Sequence, residues 1–314
     1  MGSIAERIAL PKRGQRPPGD MRSSRRARAR LWDRVMTGVI WGIVIFLAAL
    51  LLAFVLYALI QGVSMLSLKF VFGADTSGTL VGPFLFNTFY ILIASLLICV
   101  PIAVFGAVYL VEYARQGVIT TVLRFATETL AGVPSIVLAL FGFLVFVTNF
   151  GSGTRLGFTR IAGILTLVIL NLPLMLRVCE DALRSVPREL REASAALGAT
   201  KYQTIWRVMM PVALPALTTG VILTAGKMIG ETAALIYTAG GSAAVNNWFS
   251  LDPRLPGATL TIYLYELHAE GVVANAAQIQ NGIVALLVII LLVFNLGLRW
   301  LAGRISRRLA GATK

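Results

Sequence analysis

Long apolar runs without charged residues constrain the fold of this chain more than any other feature of its sequence. The first run extends from about residue 37 to residue 60. As a helix it measures about 36 Å, enough to cross a hydrocarbon core about 30 Å thick. Across the chain, 57% of residues are apolar and 13% are charged, and the mean hydropathy is +0.81. A globule of this size cannot bury so much apolar surface, so the sequence predicts an integral membrane protein.

Five further apolar runs satisfy the same criterion. They cover about residues 84–111, 123–148, 161–178, 216–238 and 283–302. Because lipid offers no hydrogen-bond partners to the backbone, we predict an all-α protein with six transmembrane helices. Pro101 and Pro134 are expected to kink the second and third helices rather than end them, since apolar sequence continues on both sides of each.

Basic residues are distributed unevenly between the segments that join these helices. If the N-terminus is cytoplasmic, the inner segments hold 22 Lys and Arg residues and the outer segments hold four. Such an excess marks cytoplasmic segments, so both termini are predicted to lie inside. The net charge of +14 is therefore assigned to the membrane surface and not to nucleic acid, because no folded module or aromatic pattern for nucleic acid accompanies it.

The chain divides into four predicted parts. Residues 1–34 form a basic, disordered cytoplasmic tail, and residues 35–81 hold the first transmembrane helix and an outer loop. Residues 82–303 form the main helical domain, and residues 304–314 form a second basic tail. Two short inner helices are expected at about 187–210 within the main domain.

The first of these inner helices has recognisable ends. Pro187 suits the first turn of a helix, and Gly198 suits its C-terminus. Between them, Leu190, Ala193 and Leu197 follow one another at three- and four-residue steps, which predicts an apolar face. The second helix is expected around residues 201–209 and to stop at Pro211. Small residues on one face indicate that something packs against this segment.

The strongest motif lies in the same inner segment. Glu192-Ala193-Ser194 is followed by Gly198 and, after nine further residues, by Val208 and Met210-Pro211. This pattern resembles the EAA motif of the ABC-type importer permeases, and its spacing is intact although Ser194, Val208 and Met210 differ from the usual residues. The resemblance implies the type I importer permease fold and a coupling helix that docks on an ATPase subunit. The residues that match or flank this helix are Leu190, Glu192, Ala193, Ser194, Leu197 and Gly198.

The flanking sequence resembles the phosphate permeases of the PstA kind over about residues 82–300. The matching stretches are GPFLFNT at 82–88, VPSIV at 133–137, NLPLMLR at 171–177, GETA at 230–233 and TIY at 261–263. The resemblance implies a multi-pass subunit of a bacterial inner membrane that conducts inorganic phosphate. It also implies three kinds of partner: a second permease (PstC-like), an ATPase dimer (PstB-like) and an extracytoplasmic phosphate-binding protein (PstS-like).

Charged residues inside the apolar runs are the second functional signal. Arg177 and Glu180 are three residues apart and Lys227 and Glu231 are four apart, so each pair is expected to share a helix face. Glu128 stands near the start of the third run. Ionisable groups in a bilayer usually face the protein interior or an aqueous path, and a guanidinium fork suits phosphate oxygens. We predict that these five residues line the translocation pathway; internal salt bridges that only fix helix register are the alternative for the two pairs.

The same resemblance links the positions of Arg177 and Glu180 with transport, and it places Lys227 where an arginine is common. No Gly-x-x-x-x-Gly-Lys-Ser/Thr loop is present, so ATP and Mg²⁺ are expected on the partner ATPase. The chain itself is expected to hold no catalytic residues, no metal and no cofactor.

Several alternatives stay open at this point. The chain could be a permease for molybdate, sulfate or phosphonate, or the sister permease of the PstC kind. A membrane-embedded enzyme using Ser135 and Lys227 would leave the EAA-like segment unexplained. A stand-alone channel would not need that segment.

Overall fold

The computed structural model describes residues 20–75, 79–115, 117–148, 156–270 and 275–311. The chain divides into two compact units, Met1–Tyr57 and Ala58–Lys314. In the described part, the regular structure of both units is helical, with a single isolated bridge between Ala243 and Gly257.

The first unit contains most of helix α1, which runs from Asp20 to Gly62. Its apolar side chains, such as Ile45, Phe46 and Leu51, are more than 60% exposed, as expected for a helix that meets lipid. The helix starts well before the predicted boundary at residue 35, because the arginines and alanines upstream are good helix formers. The prediction of a disordered tail is therefore wrong from Asp20 onward, and residues 1–19 lie outside the described residues.

The second unit contains the remaining helices of the described chain. They are α2 Leu68–Phe72, α3 Gly82–Val108, α4 Val118–Gly132, α5 Ser135–Gly142, α6 Arg160–Arg184, α7 Arg188–Ala196, α8 Lys201–Thr204, α9 Met210–Gly230, α10 Ala233–Ile236, α11 Leu260–Glu270 and α12 Ala276–Gly311. Three π-helical turns continue α3, continue α5 and join α8 to α9; they are Tyr109–Tyr113, Phe143–Val147 and Ile205–Met209. Short 3-10 helices are found at Val63–Met65 and Val245–Asn247.

Within the described residues, five helical segments are long and apolar enough to cross a membrane. They are Trp32–Met65, Gly82–Tyr113, Arg160–Arg184, Lys201–Gly230 and Ala276–Trp300. The remaining predicted span consists of α4 and α5, whose axes differ by 103°. Pro101 lies inside α3, as predicted.

Pro134 ends a helix instead of kinking it, which corrects the prediction for the third span. Val133 is extended, with φ −74° and ψ 133°, because a following proline disfavours the helical conformation. Pro134 then becomes the N-cap of α5. Counting this broken pair as one span gives up to six in the described part of the chain.

The second inner helix predicted around residues 201–209 begins as α8 but does not stop at Pro211. It continues through the π-turn into α9, and Pro211 lies in the first turn of α9, where a missing N–H is tolerated. The fifth span therefore begins at Lys201 and ends at Gly230. Similarly, α12 runs to Gly311, so most of the predicted tail at 304–314 is helical, and residues 312–314 lie outside the described residues.

The core of the second unit is built around α6. Small buried residues of α3 and α6, such as Ala103, Ala107 and Cys179, let these helices approach closely. On the α9 side, a Cβ on Gly220 would lie 2.4 Å from Cγ1 of Val178. Only glycine fits there, so α6 is held on two sides, while the charged residues near its C-terminal end face α4.

Two of the sequence stretches noted above meet in the core. The Asn87 amide donates to the Ala258 carbonyl at 3.0 Å, and the Thr88 hydroxyl accepts from the Leu260 backbone N–H at 3.0 Å. The rings of Phe84 and Tyr263 stack at 4.0 Å. These contacts attach the start of α11 to α3 and satisfy polar groups that would be costly to bury unpaired.

Arg160, the first residue of α6 and one of the four basic residues in the predicted outer segments, is fully buried and connects the loop before α11 to α3. Its guanidinium donates to the carbonyls of Ser250 and Asp252. It also lies over the rings of Phe86 and Tyr90, at 5.4 and 5.2 Å from their centroids. This arginine is therefore a structural tie rather than a surface charge.

Candidate translocation site and coupling helix

A cavity of about 240 Å³ lies between α4 and α6, and we call it the inner cavity. The α6 residues on its wall recur at three- and four-residue steps, so they occupy one face of that helix. The α4 residues line the opposite wall. The residues that line it are Arg124, Thr127, Glu128, Ala131, Pro173, Leu176, Arg177, Glu180, Asp181 and Arg184.

Glu180 is the centre of an ion-pair cluster on this wall. Its carboxylate accepts from Arg124 of α4 at 2.9 Å and from Arg184 of α6 at 2.6 Å. Arg177 lines the same cavity, is exposed and forms no ion pair among the described residues. Arg177 and Glu180 line the same cavity, and the alternative of an internal salt bridge between them is wrong, because Arg124 and Arg184 occupy the carboxylate. The positive charge of Arg177 is left open to the cavity.

The other predicted pathway residues divide into two groups. Glu128 lines the inner cavity and is exposed. Lys227 and Glu231 are not among its lining residues, and they form no ion pair with each other in the part of the chain that is described. Glu231 is the C-cap residue of α9, which ends at Gly230, so the pair lies at the end of that helix. Lys227 is exposed, whereas Glu231 is 9% exposed.

Sequence reasoning missed Arg124 and Arg184. The spacing of Glu180 and Arg184, four residues apart on one helix, is a signal that could have found the second of them. Arg124 had no local signal, because it reaches Glu180 only through the packing of α4 on α6.

The helix of the EAA-like segment is α7, and its C-terminus is closed as predicted. Gly198 has φ +77°, which only glycine adopts without strain. Its N–H donates to the Ala195 carbonyl at 2.9 Å, and the Ala199 N–H donates to the Ser194 carbonyl at 3.2 Å. This Schellman arrangement stops the helix and turns the chain towards α8. At the other end, Pro187 is the N-cap residue.

One face of α7 packs on the chain and the other does not. Ser194 is 8% exposed, and its hydroxyl lies 2.8 Å from that of Thr204, which ties α7 to α8. The predicted apolar face is not packed within this chain, since Leu190 is 40% exposed and Leu197 is 89% exposed. The remaining predicted coupling residues, Glu192 and Ala193, are exposed as well.

A second ion pair holds α7 against the rest of the unit. Arg191 donates to the Glu112 carboxylate at 2.5 Å and to the Leu183 carbonyl at 2.7 Å. Lys201 donates to the backbone carbonyl of Glu112. The turn after α3 and the end of α6 therefore both support α7, which presents its exposed face away from them.

Comparison with known proteins identifies relatives of the chain. Residues 99–311 match the model of the family described as "Binding-protein-dependent transport system inner membrane component". The chain is 39% identical over 292 residues to "Probable ABC transporter permease protein YqgI" of Bacillus subtilis, covering 89% of this chain and 98% of that protein. It is 31% identical over 230 residues to "Phosphate transport system permease protein PstA" of Pasteurella multocida, covering 72% and 79%.

The likeness extends to a solved structure. An inward-facing structure of the MetNI methionine ABC transporter matches with a TM-score of 0.51 and 25% identity, covering 73% of this chain and 94% of that chain. The helical arrangement described above is therefore the type I ABC importer permease fold, as predicted.

Proposed function

The chain belongs to the family of binding-protein-dependent transport system inner membrane components, and on this premise we propose that it is a transmembrane permease subunit of an ATP-driven phosphate importer. It is a subunit of a transport system and not an enzyme, and it resides in the inner membrane as part of an ABC assembly. Phosphate as the substrate is supported by the relative named as a phosphate permease.

The main support for the proposal is the position and exposure of Arg177 in the inner cavity. Arg177 presents an exposed guanidinium to the inner cavity without an ion-pair partner among the described residues, while the neighbouring Arg124 and Arg184 share the carboxylate of Glu180. A path for an anion needs attraction without tight trapping. An unpaired guanidinium beside two arginines that share a carboxylate meets that need, and the carboxylates of Glu128 and Asp181 in the same lining limit the attraction further.

Each of the three proposed partners would have a distinct role. A second permease of the PstC kind would complete the pathway, and a binding protein of the PstS kind would deliver phosphate on the extracytoplasmic side. An ATPase dimer of the PstB kind, holding ATP and Mg²⁺, would dock on the exposed face of α7 at Leu190, Glu192, Ala193 and Leu197. The excess of basic residues on one set of loops supports cytoplasmic termini.

Other oxyanions are the main competing substrates, because a charged cavity alone does not separate phosphate from sulfate, molybdate or phosphonate. Competition for uptake tests this directly. Cells that express the complete transporter take up labelled phosphate while each unlabelled oxyanion is added in about a hundredfold excess. We expect only phosphate and its close analogue arsenate to suppress uptake strongly.

One outcome of the competition assay would contradict the assignment of phosphate as the substrate. If sulfate, molybdate or phosphonate suppresses uptake as well as phosphate does, the substrate assignment is wrong while membership in the family stands. Loss of the binding protein serves as the control, since uptake should then fall to background.

A further inference from the structure

A second cavity, of about 380 Å³, adjoins the inner cavity and shares Arg124 and Arg184 with it. Arg188 and Arg191 of α7 also line it, and we call it the arginine cavity. Its guanidinium groups come from three helices, α4, α6 and α7. Arg177, on which the site proposed above for transported phosphate depends, is not among its lining residues.

The arginine cavity has more positive than negative charge. Glu180 pairs with Arg124 and Arg184, and Glu112 pairs with Arg191. Arg188 is exposed and forms no ion pair among the described residues. Four guanidinium groups therefore share two carboxylates, which leaves an excess of two positive charges at one concave surface.

Hydrogen bonding in the cavity wall is also incomplete. The Nε–H groups of Arg124 and Arg191 are buried and have no acceptor among the described residues. An unpaired buried donor is costly, so native proteins usually satisfy such groups with protein, water or a ligand. Each of these arginines already gives one terminal nitrogen to a carboxylate, and a ligand with several acceptor oxygens would add hydrogen bonds to the same guanidinium groups.

We propose that the arginine cavity binds a phosphate group. Guanidinium forks recognise phosphate through paired hydrogen bonds, and the tetrahedral group directs oxygens towards several helices at once. The phosphate group belongs either to free orthophosphate or to the headgroup of an anionic phospholipid. Bound there, it links the coupling helix α7 to α4 and α6, and so stiffens the connection between the exposed docking face and the inner cavity.

The test uses the complete purified transporter carrying Arg177→Ala, which suppresses the proposed substrate site. In one arm the complex is dialysed to equilibrium against radiolabelled orthophosphate. In the other it is reconstituted in vesicles of phosphatidylcholine with or without phosphatidylglycerol, and native mass spectrometry counts the retained phosphatidylglycerol. Each arm compares Arg188→Gln with Arg207→Gln, since Arg207 is also exposed but lies outside the cavity.

Arg188→Gln should weaken one of the two ligands about fivefold or more, because it removes a charge-assisted contact, whereas Arg207→Gln should leave binding unchanged. The arm that responds identifies the source of the phosphate group. If neither ligand binds in a way that depends on Arg188, the proposal is overturned. Neither readout requires uptake, so this result stands apart from the test of the transported substrate.

Discussion

Whether Arg177 is free to bind an anion depends on the side chains around it. It shares a helix with Glu180, and three-residue spacing alone would pair the two. The carboxylate is instead held by Arg124 at 2.9 Å and Arg184 at 2.6 Å. Competition between arginines for one carboxylate therefore decides which of them remains available to an anion.

We predict that Arg177→Ala lowers phosphate uptake at least about tenfold, because a charge-assisted hydrogen bond contributes about 1.5–3 kcal/mol. Phosphate uptake by Arg177→Lys should lie between that of Arg177→Ala and that of the native chain, since lysine keeps the positive charge but lacks the planar guanidinium group. Uptake of labelled phosphate is measured together with the amount of assembled complex in the membrane. Arg304→Ala, which removes an exposed charge near the end of α12, serves as the control. Normal uptake by Arg177→Ala in an assembled complex would refute its role in the pathway.

At the scale of one element, α7 combines a fixed inner face with an unpartnered outer face. Ser194 and Arg191 hold it to the chain, and the left-handed Gly198 ends it abruptly. Leu197, immediately before that glycine, is 89% exposed. Because α7 is fixed in place, the exposed side chain of Leu197 is suited to insert into a partner. Its burial there would contribute about 1.5–3 kcal/mol to the free energy of docking.

We predict that Leu197→Glu uncouples transport from ATP hydrolysis, because it replaces an apolar contact with a charge that resists burial. In reconstituted vesicles, phosphate uptake should fall at least about tenfold while the ATPase subunits keep their basal hydrolysis. Leu197→Met keeps an apolar side chain of similar volume and should retain most of the uptake. Native uptake by the glutamate variant would show that this position is not at the docking surface.

At the scale of the whole molecule, the distribution of basic residues leads to a topology prediction. Ser185, between α6 and α7, and Asn246, in the loop before α11, are both exposed and lie in segments assigned to opposite sides of the membrane. In intact cells, a membrane-impermeant maleimide should label Asn246→Cys and should label Ser185→Cys only after the cells are opened. The native chain is the background control, since Cys99 and Cys179 are buried. Labelling of Ser185→Cys in intact cells would reverse the proposed orientation.

Local sequence determined the parts of this protein that depend on local physics. Apolar runs must be helical in lipid, so the membrane class and five of the continuous spans could be predicted. The backbone at Gly198 needs a residue without a side chain, and the sequence therefore marked the end of α7. The EAA-like spacing also indicated the family, because it depends on residues close together in one helical segment.

Only the tertiary structure decided which charges meet and where helices break or continue. Glu180 finds Arg124 across the α4–α6 contact, and no spacing along the chain encodes that pair. Pro134 separates two helices whose axes differ by 103°, whereas Pro211 is absorbed in the first turn of α9. A proline always restricts the backbone conformation of the residue before it and removes one backbone N–H donor. Packing determines whether the helix bends, ends or continues there, because the free-energy cost of breaking a helix is offset only by contacts made elsewhere.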